Sequence, residues 1–205
     1  MEKLRIRIDL KIFIFLIIFY FTNQIRNYLI IMLFCFIHEI GHIIAGLILN
    51  MKPEKLEIMP FGLSSSFYMD FDNKNFKLKE ILVVLSGPLT SLALIFLCKN
   101  IDLIYITFQE AMYSNILILI FNLIPIYPLD GGRLIKGIFQ IKIGSTQAEV
   151  LVNKISDITI IILTVISSIG VYYFQNVAIF FVCIFLWMIA LKEKNDKTLA
   201  ILQGK

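Results

Sequence analysis

The sequence has few charged residues, and this scarcity restricts what kind of protein it can be. Only 17% of the 205 residues are charged, while 59% are hydrophobic and the mean hydropathy is +0.84. A water-soluble domain carries about 25% charged residues, so the composition excludes a soluble enzyme and a disordered chain. The net charge of +4 does not indicate a nucleic-acid partner, because the basic residues follow the membrane pattern described below.

Cysteine is also scarce. The three cysteines, Cys35, Cys98 and Cys183, are far apart in apolar stretches. They form neither a disulfide framework nor a paired zinc-ligand spacing, and we interpret each one as core packing. The first apolar stretch lacks a small-residue cleavage site and similar stretches follow it, so we interpret it as a membrane span and not as a signal peptide.

Long apolar runs are abundant and determine the expected fold class. A transmembrane helix needs about 20 apolar residues. We predict an all-α polytopic membrane protein with six transmembrane helices, organised as a single domain over residues 1–205. The predicted spans are residues 10–23, 28–50, 81–97, 111–125, 155–174 and 177–191.

The connection between the second and third spans is the longest polar segment. Its residues 55–71 contain Pro60 and Gly62 between two pieces of mixed polar and apolar character. Such a pattern is typical of short strands around a turn. We therefore expect a short membrane-associated β-hairpin or a surface loop here.

The positions of lysine and arginine predict the orientation of the spans. If the N-terminus is inside, 17 of the 19 basic residues fall in cytoplasmic segments, and only Arg26 and Lys99 fall outside. Cytoplasmic loops collect basic residues. This distribution predicts that both termini are cytoplasmic.

The second span contains the run HEIGH, which extends from His38 to His42 and includes the only two histidines of the chain. Residues at i and i+4 share one face of a helix, as ligands of one divalent metal must. Glu39 between them can take a proton from a water that the metal activates. The alternative, a pair of core histidines, leaves a buried glutamate unexplained.

A catalytic zinc uses three protein ligands and leaves one position open. Cys35 lies one turn before the first histidine, but a third ligand from the same short segment would strain tetrahedral geometry. Asp130 follows Pro125 and Pro128, which break the fourth span. Asp130 forms either an Asp-Gly turn, paired with Arg133, or the missing ligand; the two-histidine site favours the ligand.

The order of these motifs resembles a known family. HEIGH in one membrane helix, followed by PLDGG after a proline-broken helix, is similar to the site-2 proteases, which are intramembrane zinc metalloproteases. The string FNLIPIYPLDGGR and the six-span plan most resemble the sporulation factor IV FB protease group. The resemblance implies one Zn²⁺ per chain on His38, His42 and Asp130, with Glu39 as the catalytic residue.

The resemblance also implies supporting roles for other residues. The family tends to have a Gly-x-x-x-Asn/Ser/Gly element in the third span, which Gly87 and Ser91 match; small-residue packing is the alternative. Asn122 matches a family asparagine associated with substrate, although it could equally cap a helix. Pro125 and Pro128 are grouped with these as substrate-binding or site-supporting residues.

The implied partners are the lipid bilayer and a membrane-associated protein substrate, in this group the precursor of a sporulation sigma factor, with inhibitory membrane proteins as regulators. The expected location is the cell membrane or a membrane around the forespore. Members of the group usually carry a C-terminal CBS domain, and we expect none here. The alternative functions are an inactive membrane pseudoprotease and a metal-binding transporter.

Overall fold

The computed structural model describes residues 5–51, 53–59, 62–67, 76–97, 106–174, 183–184, 186–188 and 190–191. Six helices and three strands have assigned bounds. In chain order they are β1 (Arg5–Ile8), α1 (Lys11–Phe21), α2 (Ile25–Ile48), β2 (Pro53–Met59), β3 (Gly62–Phe67), α3 (Phe76–Leu97), α4 (Phe108–Asn122), α5 (Asp130–Ile143) and α6 (Ser145–Phe174). The structure is thus mostly helical, as predicted.

Three helices are long and apolar enough to cross a membrane. They are Ile25–Ile48, Phe76–Leu97 and Ser145–Tyr173, while Ile12–Phe21 is a shorter apolar helix. These segments correspond to the second, third, fifth and first predicted spans. Most of the sixth predicted span, residues 177–191, lies outside the described residues. The six-span plan therefore remains a prediction.

The predicted hairpin is present, and it belongs to a larger sheet. β2 and β3 are antiparallel, with Leu56 opposite Ser65. β1 pairs with β2 in parallel, with Ile8 opposite Ile58, which gives the strand order β1-β2-β3. The sequence analysis did not predict β1, because a parallel pairing joins segments that are far apart in the chain.

Residues 1–122 form one compact unit, in which α2 is the central element. α2 packs against α1, α3, α4 and the hairpin strands. It ends at Ile48, where the backbone N–H of Asn50 donates to the carbonyl of Leu47 and that of Met51 donates to Gly46. Asn50 has a φ of +56°, a left-handed conformation that asparagine tolerates.

α3 contains a proline, yet the helix continues through it. Pro88 has no N–H and would normally break a helix. The hydroxyl of Thr90 donates to the Ser86 carbonyl at 2.8 Å, and that of Ser86 donates to the Val83 carbonyl at 2.6 Å. Such hydroxyls supply hydrogen bonds around a proline in a membrane helix.

Residues 123–205 form the second compact unit. As the prolines predict, α4 ends at Asn122 and helix resumes at Asp130. The sequence analysis was wrong about the connection that follows: residues 127–154 were expected to be a loop, but α5 fills most of it and α6 begins at Ser145. Gly144, with a φ of +86°, separates these two helices in a conformation that suits glycine.

Candidate metal centre

The HEIGH run lies on the buried face of α2. His38, Glu39 and His42 are only 3%, 7% and 2% exposed. The two imidazole rings are perpendicular, with an interplanar angle of 81° and centroids 5.0 Å apart. The 3.6-residue period of the helix therefore brings both histidines to one place, as the sequence predicted.

Each histidine is oriented by α3 through its Nδ1 atom. His42 Nδ1 lies 2.7 Å from the carbonyl oxygen of Val83, and His38 Nδ1 lies 2.9 Å from the hydroxyl of Ser91. A carbonyl only accepts, so His42 must carry its proton on Nδ1. This leaves Nε2 of His42 as the lone-pair atom, the tautomer that a metal ligand needs.

Both Nε2 atoms converge over Gly87, where α3 has no side chain. A Cβ placed on Gly87 would lie 2.6 Å from Nε2 of His38 and would overlap Nε2 and Cε1 of His42. The glycine of the third-span element thus faces the two histidines directly. Two nitrogen donors held close together in a buried site suit Zn²⁺.

Glu39 is held by the sheet. The hydroxyl of Ser65, on β3, donates to Oε2 of Glu39 at 2.9 Å, and Ser65 is itself only 3% exposed. The carboxylate that lies between the two histidines in sequence is therefore fixed from outside the helix bundle. Sequence analysis missed Ser65, although it noted the run of three serines that contains it.

Asp130 is the first residue of α5 in the second unit and is 6% exposed. The chain segment before it folds closely over the first turn of α5. A Cβ on Gly131 would lie 2.6 Å from the carbonyl oxygen of Ile124, and one on Gly132 would overlap the backbone of Ile126 and Tyr127. The two glycines after the aspartate are thus required by this close packing.

The other predicted site residues are distributed as follows. Gly87 and Ser91 contact the histidines. Asn122 is the last residue of α4, and Pro125 and Pro128 lie in the break between α4 and α5. These last three side chains are half-buried.

Cys35 belongs to the apolar core with Ile30 and Phe34, in agreement with the packing interpretation. Cys183 is likewise a buried free cysteine. Cys98 lies outside the described residues.

Comparisons with known proteins agree with the motif order. Peptidase family M50 matches residues 98–163. Stage IV sporulation protein FB of Bacillus subtilis (strain 168) is 30% identical over 139 residues, which cover 66% of this chain and 48% of that protein. The chain is a homologue of the site-2 proteases.

Two further site-2 protease comparisons extend the match. Zinc metalloprotease MJ0392 of Methanocaldococcus jannaschii is 26% identical over 167 residues, which cover 78% of this chain and 46% of that protein. The solved structure of the site-2 protease from the same organism has a TM-score of 0.70, covers 94% of this chain and 92% of that one, and is 20% identical. The solved structure shows a shared fold, and the chain spans about half the length of the two curated relatives.

Proposed function

We propose that this site-2 protease homologue is an intramembrane zinc metalloprotease that hydrolyses a peptide bond in or near the membrane segment of a protein substrate. The observation that carries the proposal is the convergence of the two Nε2 atoms over Gly87, with Glu39 between the histidines in sequence. The matches to Peptidase family M50 and to a zinc metalloprotease support it.

In the proposed site, His38 and His42 hold one zinc through Nε2 and Asp130 supplies the third ligand. The donor set of two neutral imidazoles and one carboxylate is typical of catalytic zinc. When bound, zinc would polarise the scissile carbonyl and acidify water. Asp130 is buried, and an ionised carboxylate needs a counter-charge in such a position.

Glu39 is the proposed general base. Its carboxylate takes a proton from the attacking water and delivers it to the leaving amine. The hydrogen bond from Ser65 leaves Oε1 for this proton transfer. A base within hydrogen-bond reach of the water is the geometric requirement for such catalysis.

The substrate must present an extended chain, because a helix hides its carbonyls in internal hydrogen bonds. The hairpin within residues 55–71 is the proposed receptor for that chain. β3 is at one edge of the described sheet and touches Glu39 through Ser65. An extended peptide can add to a sheet edge by backbone hydrogen bonds.

The finer assignment concerns the substrate and the orientation. The proposed substrate is a membrane-associated sporulation sigma-factor precursor, by analogy with the sporulation protein that the chain matches, and inhibitory membrane proteins are proposed regulators. Both termini are placed in the cytoplasm by the distribution of basic residues. Cleavage is then expected in the cytoplasmic half of the substrate segment.

Co-expression with membrane-tethered sigma-factor precursors tests the proposal. The wild type should cleave one of them, Glu39→Gln should retain about one zinc per chain and lose cleavage, and His42→Ala should lose both. Glu80→Gln is the matched control, because it makes the same change outside the site and should cleave normally. Full cleavage by Glu39→Gln, with zinc bound, would end the proposal.

A further inference from the structure

The contact between the sheet and Glu39 has a structure of its own. Ser65 and Glu39 belong to different elements, both are buried, and the hydroxyl-to-carboxylate distance is 2.9 Å. A hydrogen bond to an ionised acceptor is about twice as strong as a neutral one. It also removes one of the carboxylate oxygens from free rotation, which matters for a group that must meet a water at a defined angle.

A second contact holds β3 in place along α2. The ring of Phe67 lies on Gly46, where an added Cβ would lie 2.6 Å from Cζ of the ring. Ser65 and Phe67 are two residues apart, so their side chains leave the strand on the same face. Glu39 and Gly46 are two turns apart on α2, so they too share a face. β3 is therefore attached to α2 at two matched points.

We infer that Ser65 is a positioning residue for the general base. It holds Oε2 of Glu39, leaves Oε1 for the proton of the attacking water, and keeps the carboxylate directed into the site by means of the anchored strand. The inference deepens the proposed protease function and rests on it. It also links the edge strand that would receive substrate to the residue that activates water.

Four variants isolate the hydroxyl. Ser65→Ala removes it, and Ser65→Thr and Ser65→Val form a nearly isosteric pair that differs in the hydroxyl alone. Ser66→Ala is the matched control, because Ser66 is the next residue and is exposed. If the alanine variant fails to fold, the threonine and valine pair still gives the answer.

The first readout is steady-state cleavage, by the purified full chain in detergent, of whichever membrane-tethered sigma-factor precursor the wild type processes. Ser65→Ala and Ser65→Val should lower kcat about 10- to 100-fold with KM unchanged. Ser65→Thr should recover most of the rate, and Ser66→Ala should match the wild type. Equal kcat in the threonine and valine variants would overturn the inference.

The second readout needs no substrate. The protein is loaded with Co²⁺ in place of zinc, and its visible absorption is recorded at one pH. Ser65→Val should bind one cobalt and shift the spectrum towards that of Glu39→Gln, while Ser65→Thr and Ser66→Ala should keep the wild-type spectrum. An unchanged spectrum in Ser65→Val counts against the inference. Failure of the wild type to cleave any precursor counts against the proposed function instead.

Discussion

The two sides of α2 differ sharply in chemistry. Towards α3 the contact consists of small and polar residues: Gly41, Ser86, Gly87, Thr90 and Ser91. Towards α4 it consists of apolar side chains: Ile30, Phe34, Cys35, Ala111 and Ile118. The same helix thus builds a reactive site on one side and a packed core on the other.

Hydrogen bonding follows the same division. On the α3 side, the histidines and the hydroxyls of Ser86, Thr90 and Ser91 all have partners. On the α4 side, Asn115 is fully buried, and within the described residues its Oδ1 has no hydrogen-bond partner. The comparison teaches that orientation is specified where ligands must be held, while the α4 side depends on shape alone.

Gly87→Ala should have the largest effect, because its new Cβ would collide with both imidazoles. We expect zinc affinity to fall by about 100-fold or more, measured as metal content after dialysis against a graded chelator. Gly170→Ala is the control, since a Cβ there meets nothing within 4 Å. Normal zinc binding by Gly87→Ala would show that the α3 side is not shaped around the ligands.

Ile118→Ala should separate stability from metal binding. Ile118 is 2% exposed in the apolar core, and truncating such a residue costs about 2–5 kcal/mol of unfolding free energy. The melting temperature in detergent should fall while zinc stoichiometry stays at the wild-type level. Ile120→Ala on the same helix, 63% exposed, should change the melting temperature little. Zinc loss in Ile118→Ala would break the proposed division.

Ser91→Ala should act in the opposite way on the α3 side. It removes the partner of His38 Nδ1, and loss of such a second contact weakens metal affinity by about tenfold. Zinc competition titrations should detect this weakening with little change in melting temperature. Ser168→Ala, an exposed serine on α6, is the control. Unchanged affinity would mean that packing alone orients His38.

The smallest effect is expected at the start of the α4 side, where Arg26 pairs with Glu110 at 3.0 Å. The backbone N–H and the hydroxyl of Thr107 lower the pKa of Glu110, and Arg26 adds to this lowering. The stabilisation is therefore present above the ordinary pKa of about 4.3 and is lost as pH falls through the lowered value.

Melting curves of the wild type and Glu110→Gln should differ slightly at pH 6 and coincide at strongly acidic pH. Arg26 is 64% exposed, so solvent screening keeps the difference small. A difference that grows with acidity would contradict the assigned pKa direction.

Local periodicity explains what the sequence could predict. The shared face of His38 and His42 follows from a spacing of four residues, and the ends of α4 and α5 follow from Pro125 and Pro128. The contact of Ser65 with Glu39 does not follow, because it depends on how a hairpin docks on a helix. The helical content of residues 127–154 was also missed, because the basic and polar residues there resemble those of a loop.

β1 offers a solution to the shortness of the first apolar helix. α1 has 11 residues and is about 16 Å long, roughly half of the 30 Å hydrocarbon thickness. β1 directly precedes it and adds about 13 Å. Strand and helix in series thus have the reach of one full crossing.

Such a composite crossing has a cost for the surrounding lipid. Lipid-exposed strand edges do not occur in hydrocarbon, so the bilayer beside β1 must give way to protein or water. Glu39 lies about 14 Å from the end of α2, and the sheet reaches it through Ser65. The strand that shortens α1 therefore belongs to the same sheet that brings polar backbone, and with it a route for water, to mid-membrane depth.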